Sequence, residues 1–401
     1  MDDKLRVLMA KPKILMFGRH FRPSVTAGGA ARSMTNLIEN LGHEFDFWVV
    51  CRDRDLGSNV PFDFPRDNWL HQEDCHIYYC RPRRTYLRLF SKMLRSQQWD
   101  MIYVNSYVSP IFSVVVRLLR RFGCAAKVPM IIAPRGEFAH SALKLSALKK
   151  KMVLTFGRHF GFHHNIIWQA SCKHEHDDIV RVINPPLNRI VTAPDLSPLD
   201  ILHTPEDDQI NKNQGELTLA LVARIAPIKN ILFGIEALRT CKNQINYEIY
   251  GPIEDEDYWA ECQATIAKLP PNVIVNYHGS IDREEVPKVL ARAHAFFMPT
   301  LGENFGHSIL EALAASLPVI ISDQTPWRDL EIRKAGFDLP LGDRDQFTVA
   351  IDRLAEMNGK EFETWRISAR SEAQNWLQDS DVVEANRQLF HAALGLAPRS
   401  A

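Results

Sequence analysis

Short, nearly continuous apolar runs alternate with amphipathic stretches along most of the chain. In the first half the runs are Lys13–Phe17, Phe45–Val50, Ile77–Tyr79, Met101–Asn105, Val128–Ala133 and Ile166–Ala170. Runs without polar alternation predict strands buried on both faces, as a parallel sheet requires. Stretches of helical period fall between them at Ala31–Asn40, Ser109–Phe122 and Ser141–Phe156. Strand–helix alternation of this kind predicts βαβ units. Residues 191–216 interrupt it with prolines, acids and little periodicity, and read as a linker. The alternation then restarts. Strands are predicted at Leu217–Ile225, Tyr247–Tyr250, Val273–His278, Ala295–Pro299 and Pro318–Ser322. Helices are predicted at Phe233–Cys241, Glu284–Ala293 and His307–Ala315, with a final helical stretch over Glu361–Leu396. The expected fold class is α/β: two Rossmann-like, doubly wound domains facing across a cleft. Their expected extents are 1–200 and 201–375, with a closing helix over 376–401.

Composition narrows the function classes. The chain has 401 residues, 46% hydrophobic and 24% charged, which excludes a disordered chain. Net charge is zero, so the molecule as a whole is not an electrostatic nucleic-acid binder. The charge is divided, however. Residues 1–200 carry 29 Lys and Arg against 18 Asp and Glu, and the remainder has the opposite excess. Seven cysteines with no C-x-x-C pair argue against a disulfide framework and for a reducing cytoplasm. The amino-terminal apolar stretch is too short for a signal region, and no run approaches a membrane span. Fourteen basic residues against Asp100 and Glu137 between 81 and 150 suit a peripheral contact with an anionic membrane surface. The segment from Arg81 to Arg95 interleaves Arg83, Arg84, Arg88 and Lys92 with Leu87, Phe90, Met93 and Leu94. A core helix with a solvated basic face is the other reading of it.

In open α/β sheets ligands lie beyond the carboxyl ends of the strands, so polar residues in those loops are the candidates. After the run ending at Pro299 come Gly302, Glu303, Asn304, Phe305 and Gly306, and a helix is predicted from His307. Loop amides and the first helical turn suit a diphosphate. Glu303 and Glu311 are placed to accept sugar hydroxyls; the alternatives are a helix cap and a solvated helix residue. Arg224 and Lys229, after the first strand of the second half, can neutralise a diphosphate leaving group, or be ordinary surface charges. Gly251 and the Gly279–Ile281 turn end two further strands and are candidate nucleotide contacts.

Together the Glu303-x7-Glu311 pair, the Arg224-x4-Lys229 pair and the Pro318-Val-Ile tail resemble the family 4 retaining glycosyltransferases. The resemblance implies the GT-B architecture, a closing helix over 376–401 that crosses back to the first domain, and a nucleotide-sugar donor, with no cofactor and no metal. By the same resemblance Glu303 contacts the donor sugar, Glu311 the ribose, and Arg224 and Lys229 the diphosphate. Backbone groups of Asn304, Phe305, Gly306, His307, Ser308 and Ile309 complete that pocket. Gly28 and Gly29 lie after the first strand and just before a helix, as the family's glycine loop does, which implies a loop meeting the phosphates or the acceptor; a plain flexible turn is the other reading. The chain carries Arg135 where many relatives have a histidine; it can bind phosphate or an acidic acceptor, or form a salt bridge at a strand end. Asn230 and Ser316 stand where glycine is usual. The Thr325-Pro326-Trp327 run is similar to that of enzymes in bacterial surface-polysaccharide synthesis. The resemblance thus implies transfer of a sugar to a saccharide or lipid-linked acceptor with retention. Two other readings stay open: a nucleotide-sugar epimerase of the same architecture, and a non-catalytic nucleotide-sugar-binding partner of a membrane complex. An NAD dehydrogenase is disfavoured, because no G-x-G-x-x-G follows the first strand.

Overall fold

The computed structural model describes residues 11–24, 28–82, 86–96, 98–139, 143, 152–155, 157, 162–163, 165–198, 201 and 212–395. The chain divides into two units, Met1–Leu199 with Ser380–Ala401, and Asp200–Asp379.

In the first unit the described elements are β1 (Lys13–Phe17), α1 (Gly29–Leu41), β2 (Asp46–Arg52), β3 (Trp69–His71), β4 (Cys75–Cys80), α2 (Tyr86–Arg95), β5 (Met101–Val104), α3 (Val116–Arg121), β6 (Met130–Ile132), β7 (Ile166–Ala170), α4 (Lys173–Ile183) and β8 (Ile190–Thr192). They form one sheet in the order β3-β4-β2-β1-β5-β6-β7-β8. Every pairing is parallel except β3 with β4. The chain winds outward from β1 through β2 to one side and through β5 to the other. The switch point therefore lies between β1 and β5, with α1 starting above it. Asn105, just past β5, donates from Nδ2 to Ala30 O at 2.7 Å and fixes that helix start.

The second unit contains β9 (Glu216–Val222), α5 (Ile231–Leu238), β10 (Gln244–Tyr250), α6 (Glu256–Ile266), β11 (Val273–Tyr277), α7 (Val286–Leu290), β12 (Ala295–Met298), α8 (His307–Ala314), β13 (Val319–Ser322), β14 (Gly336–Leu339), α9 (Arg344–Glu356) and α10 (Gly359–Gln378). Its sheet is wholly parallel, in the order β11-β10-β9-β12-β13-β14. Here the switch point lies between β9 and β12. Phe296 and Phe297 of β12 are fully buried, each worth about 1.5–3 kcal/mol against an exposed ring. The carboxyl end of β12 is thus held by a rigid core.

A last helix, α11 (Ser380–Leu394), belongs to the first unit. Phe390 packs on Phe45, Phe47 and Tyr103, and Arg387 pairs with Glu44 at 2.7 Å. The helical stretch expected over Glu361–Leu396 is therefore two helices, parted at Asp379. The helix expected over Ser109–Phe122 opens as a wide turn, in which Ser109 O accepts from both Ser113 N and Val114 N, before α3 begins. Strands β3, β8 and β14 and helices α4, α6 and α9 were not legible as patterns. The strands are short, and α6 buries little beyond Trp259 and Cys262. The stretch read as a linker contributes β8, and its next residues pack on α1. Asn36 Nδ2 donates to Leu196 O at 2.7 Å and Asn40 Nδ2 to Ser197 O at 3.0 Å. Most of the remaining linker, residues 202–211, and most of the helix expected over Ser141–Phe156 lie outside the described residues.

Candidate active site

All the donor-side candidates sit at the carboxyl edge of the second sheet. Arg224 and Lys229 follow β9, Gly251 follows β10, Ile281 follows β11, and Glu303 to Gly306 follow β12. The loops after β9 and β12, neighbours in the sheet, are laced together. Leu301 N donates to Ile228 O at 2.8 Å and Thr300 Oγ1 to the same oxygen at 3.0 Å. Asn230 Nδ2 donates to Pro299 O at 2.9 Å. Across this seam Lys229 Nζ forms an ion pair with Glu303 Oε1, and both side chains are largely buried. Asn230 has φ 56°, the left-handed conformation in which glycine and asparagine cost least, so the asparagine meets the same backbone demand as the usual glycine. Ser316, with φ 62°, occupies the same region.

Arg224 pairs instead with Glu254 in the loop after β10. The acidic run that follows is a helix start: Asp255 accepts from Tyr258 N at 3.0 Å and caps α6. Gly251 has φ 141°, and a Cβ there would lie 1.8 Å from Ala223 O. Only glycine lets the β9 and β10 ends come this close. Gly251 N donates to Gly279 O at 2.7 Å, which carries the lacing on to the loop holding Ile281.

The loop from Glu303 to Gly306 is pinned at both ends. Glu303 N donates to Gln324 O at 2.9 Å, and Trp327 Nε1 donates to Phe305 O at 2.7 Å. Phe305 also packs against Trp376 of α10 at 5.4 Å and His307 at 4.8 Å, and Trp327 packs on Trp376 at 5.3 Å. Gly306 takes φ 84° as the residue before α8 and offers no side-chain cap. Glu303 is thus not the cap of this helix; its carboxylate is engaged with Lys229. Ser308 is half-buried and Ile309 fully buried in the first turn, and Glu311 is half-buried one turn on. The Asn304 Nδ2 atom is buried and has no partner among the described residues. Trp327 and Trp376 were missed as site residues. The Thr-Pro-Trp run was the available signal, but nothing in sequence says which carbonyl an indole meets.

In the first unit Gly28, with φ 70°, precedes α1, and Gly29 is exposed at its start. Arg135 does not face solvent as an acceptor-side group would; the structure corrects that reading in favour of the salt bridge. Its guanidinium is 9% exposed, pairs with Asp195, and donates to Asn105 Oδ1 and Tyr103 Oη at 2.8 Å each. Burial works against its charge, but Asp195, Tyr103 and Glu175 together hold it above its usual value. Asp195 in turn accepts from Ser33 Oγ of α1 at 2.6 Å, so Arg135 braces the start of that helix from below. Asp53-Arg54-Asp55 has the letters of a metal motif but a structural role. Asp53 is fully buried against Arg54 and near Arg66 at 3.7 Å, and Asp55 accepts from Leu56 N at 2.7 Å. Among the described residues no three His, Cys, Asp or Glu side chains are grouped to hold a metal ion. No described helix is long and apolar enough to cross a membrane.

Residues 204–372 match the family model described as glycosyl transferases group 1. The O-antigen chain mannosyltransferase B of Escherichia coli is 25% identical over 214 residues, 50% of this chain and 54% of that protein. The chain thus spans about half the length of that relative. The UDP-Gal:alpha-D-GlcNAc-diphosphoundecaprenol alpha-1,3-galactosyltransferase of Escherichia coli is 20% identical over 354 residues, 82% of this chain and 85% of that one. The crystal structure of Anabaena HepE in complex with UDP-glucose superposes with a TM-score of 0.69 at 16% identity, over 94% of this chain and 98% of that chain. At that identity the likeness shows the fold, two parallel-sheet α/β domains of the GT-B kind.

Proposed function

We propose that the chain is a group 1 glycosyl transferase, the family whose model residues 204–372 match, and that it transfers a sugar from a nucleotide-sugar donor to a saccharide or lipid-linked acceptor, with retention, in surface-polysaccharide synthesis. The observation that carries the reading is the Lys229–Glu303 pair at the switch point of the second sheet. Without ligand, each neutralises the other in a largely buried seam. With donor present, Lys229 turns to the diphosphate and Glu303 to the hydroxyls of the sugar. Arg224, released from the more exposed Glu254, adds a second cation to the leaving group. The amides that open α8 supply the remaining donors. Charge growing on the departing diphosphate is thus met by fixed dipoles and cations, an effect worth about 2.7–4 kcal/mol per group. No side-chain nucleophile is assigned; the leaving phosphate takes the acceptor's proton on the same face. A UDP-sugar is the donor to try first, because one relative is named for UDP-Gal and HepE was crystallised with UDP-glucose.

Glu303→Ala should retain nucleoside diphosphate binding and lose transfer by roughly 10²–10³-fold. Lys229→Ala should weaken the nucleoside diphosphate measured by calorimetry, and transfer should survive EDTA. Normal activity and normal product affinity in both variants would remove the donor site from this seam. Conversion of the nucleotide sugar without any acceptor would favour the epimerase.

The basic surface of the first unit supports a site of action at an anionic lipid face. Phe90, Met93 and Leu94 are buried in the core, so α2 is a core helix with a solvated basic face rather than one whose apolar side enters lipid; Arg88, Lys92 and Arg95 are exposed along it beside Leu87, and Phe122 is 73% exposed just after α3. Ser91 Oγ lies 3.5 Å from Cys124 Sγ, which joins the two patches. No acidic residue falls between Asp74 and Asp100, or between Asp100 and Glu137. Arg83 and Arg84 lie outside the described residues. Each basic side chain at such a surface adds about 1 kcal/mol. Liposomes with anionic lipid should bind the protein at low salt, and Arg88→Glu with Lys92→Glu should release it; equal binding to neutral liposomes would refute the docking.

A further inference from the structure

The first sheet carries two arginines at its carboxyl edge that form no ion pair among the described residues. β1 runs into Gly18-Arg19-His20, and Arg52 is the last residue of β2. Arg52 N donates to Arg19 O at 3.1 Å, so the two side chains leave from hydrogen-bonded neighbours. Neither guanidinium has an ion pair or a hydrogen bond among the described residues. The carboxylates nearby are already engaged: Asp53 by Arg54 at 2.9 Å, and Asp55 by Leu56 N and Ser24 Oγ. Burial, joined by the charge of Arg52, pushes the Arg19 guanidinium below its usual value. Two like charges held together at a sheet edge cost free energy until an anion joins them.

Two further features lie beside the pair. His20 is 9% exposed; its Nδ1 lies 3.3 Å from Arg54 O, and its Nε2 is buried without a partner among the described residues. Both arginine charges reach this ring. On the other side of the β1 end, the thirteen-residue α1 begins with no side-chain cap and no acidic residue in its first turn. Its amino end therefore attracts negative charge.

We infer that Arg19 and Arg52, with His20 and the amino end of α1, form an anion site in the first unit that takes a phosphate or carboxylate group of the acceptor. The assignment to the acceptor rests on the transferase reading above; the anion site itself does not. Guanidinium forks match both oxyanions in the plane, and the donor's diphosphate has its own cations in the second unit.

The test is calorimetry on the full chain saturated with UDP, or with GDP if UDP gives no heat, so that the donor site is filled. Inorganic pyrophosphate is titrated in one arm and glucuronate in the other. Wild type should bind at least one of them; pyrophosphate marks a diphosphate-bearing acceptor, glucuronate an acidic sugar. Arg19→Gln and Arg52→Gln should each weaken that binding roughly ten- to hundredfold, with UDP affinity and melting temperature unchanged. Arg19→Lys, which keeps the charge, should fall between. No turnover is needed, so an enzyme inactive with every donor leaves the result readable. Absence of binding by both anions in wild type, or full affinity in the Arg19→Gln/Arg52→Gln double variant, overturns the site.

Discussion

Trp327→Phe should damage donor handling through a single lost hydrogen bond. Trp327 is 4% exposed, and its indole Nε1 donates to Phe305 O at 2.7 Å, while Phe305 itself is 2% exposed. Phenylalanine keeps an aromatic ring against Phe305 and Trp376 but cannot donate. The carbonyl left behind is buried, and an unsatisfied buried acceptor costs about 1–3 kcal/mol. Partial loss of the contact with Trp376 adds up to about 1 kcal/mol. In a unit of this size that total lowers the melting temperature by roughly 3–15 °C. The functional effect is more specific. The loop from Glu303 to Gly306 hangs on two latches, Glu303 N to Gln324 O and Phe305 O to Trp327. With one released, Glu303 loses its fixed position relative to the sugar, and KM for the donor should rise about tenfold with the acceptor KM little changed. Trp376→Phe is the control, because it trims the same aromatic cluster but leaves the hydrogen bond. Steady-state kinetics on both variants, beside urea melts, separate latch from packing. A stability loss in Trp327→Phe with an unchanged donor KM, or equal KM changes in the two variants, would refute the latch.

Two further outcomes follow from the first unit. Arg135→Met should cost about 3–5 kcal/mol in urea unfolding, because Asp195, 6% exposed, is left as an uncompensated buried charge; Arg135→Met with Asp195→Leu should recover most of it, and equal losses in both would show that the pair is not the reason. Burial, helped by the charges of Arg19 and Arg52 and opposed by Asp55, pushes His20 down from 6.5 to about 4, so the unfolded chain binds a proton that the native state refuses. Stability should therefore fall as pH drops from 6.5 towards 4, by up to about 3 kcal/mol, and His20→Gln should flatten that slope; an identical pH profile in the variant would contradict the assignment.

The sequence by itself determined the class of fold and the address of the candidate loops. Strands such as Lys13–Phe17 and Ile166–Ala170 were legible to the residue, because a parallel strand buried on both faces reads as a nearly continuous apolar run. Glu303, Arg224 and Lys229 were legible as candidates, because charged residues just past such runs fall at the ligand-bearing edge of a sheet. Their partners were not. Lys229 and Glu303 meet across 74 residues of chain, and that meeting depends on β9 and β12 being neighbours in the sheet, a matter of strand order that no local pattern encodes. For the same reason the sequence left Arg135 open between an anion-binding group and a strand-end salt bridge, and only the fold brings Asp195, 60 residues on, beside it. The indole latch from Trp327 and the short strands β3, β8 and β14 are likewise products of packing. Hydrophobic periodicity reports which face of an element is buried; only the tertiary structure decides against what.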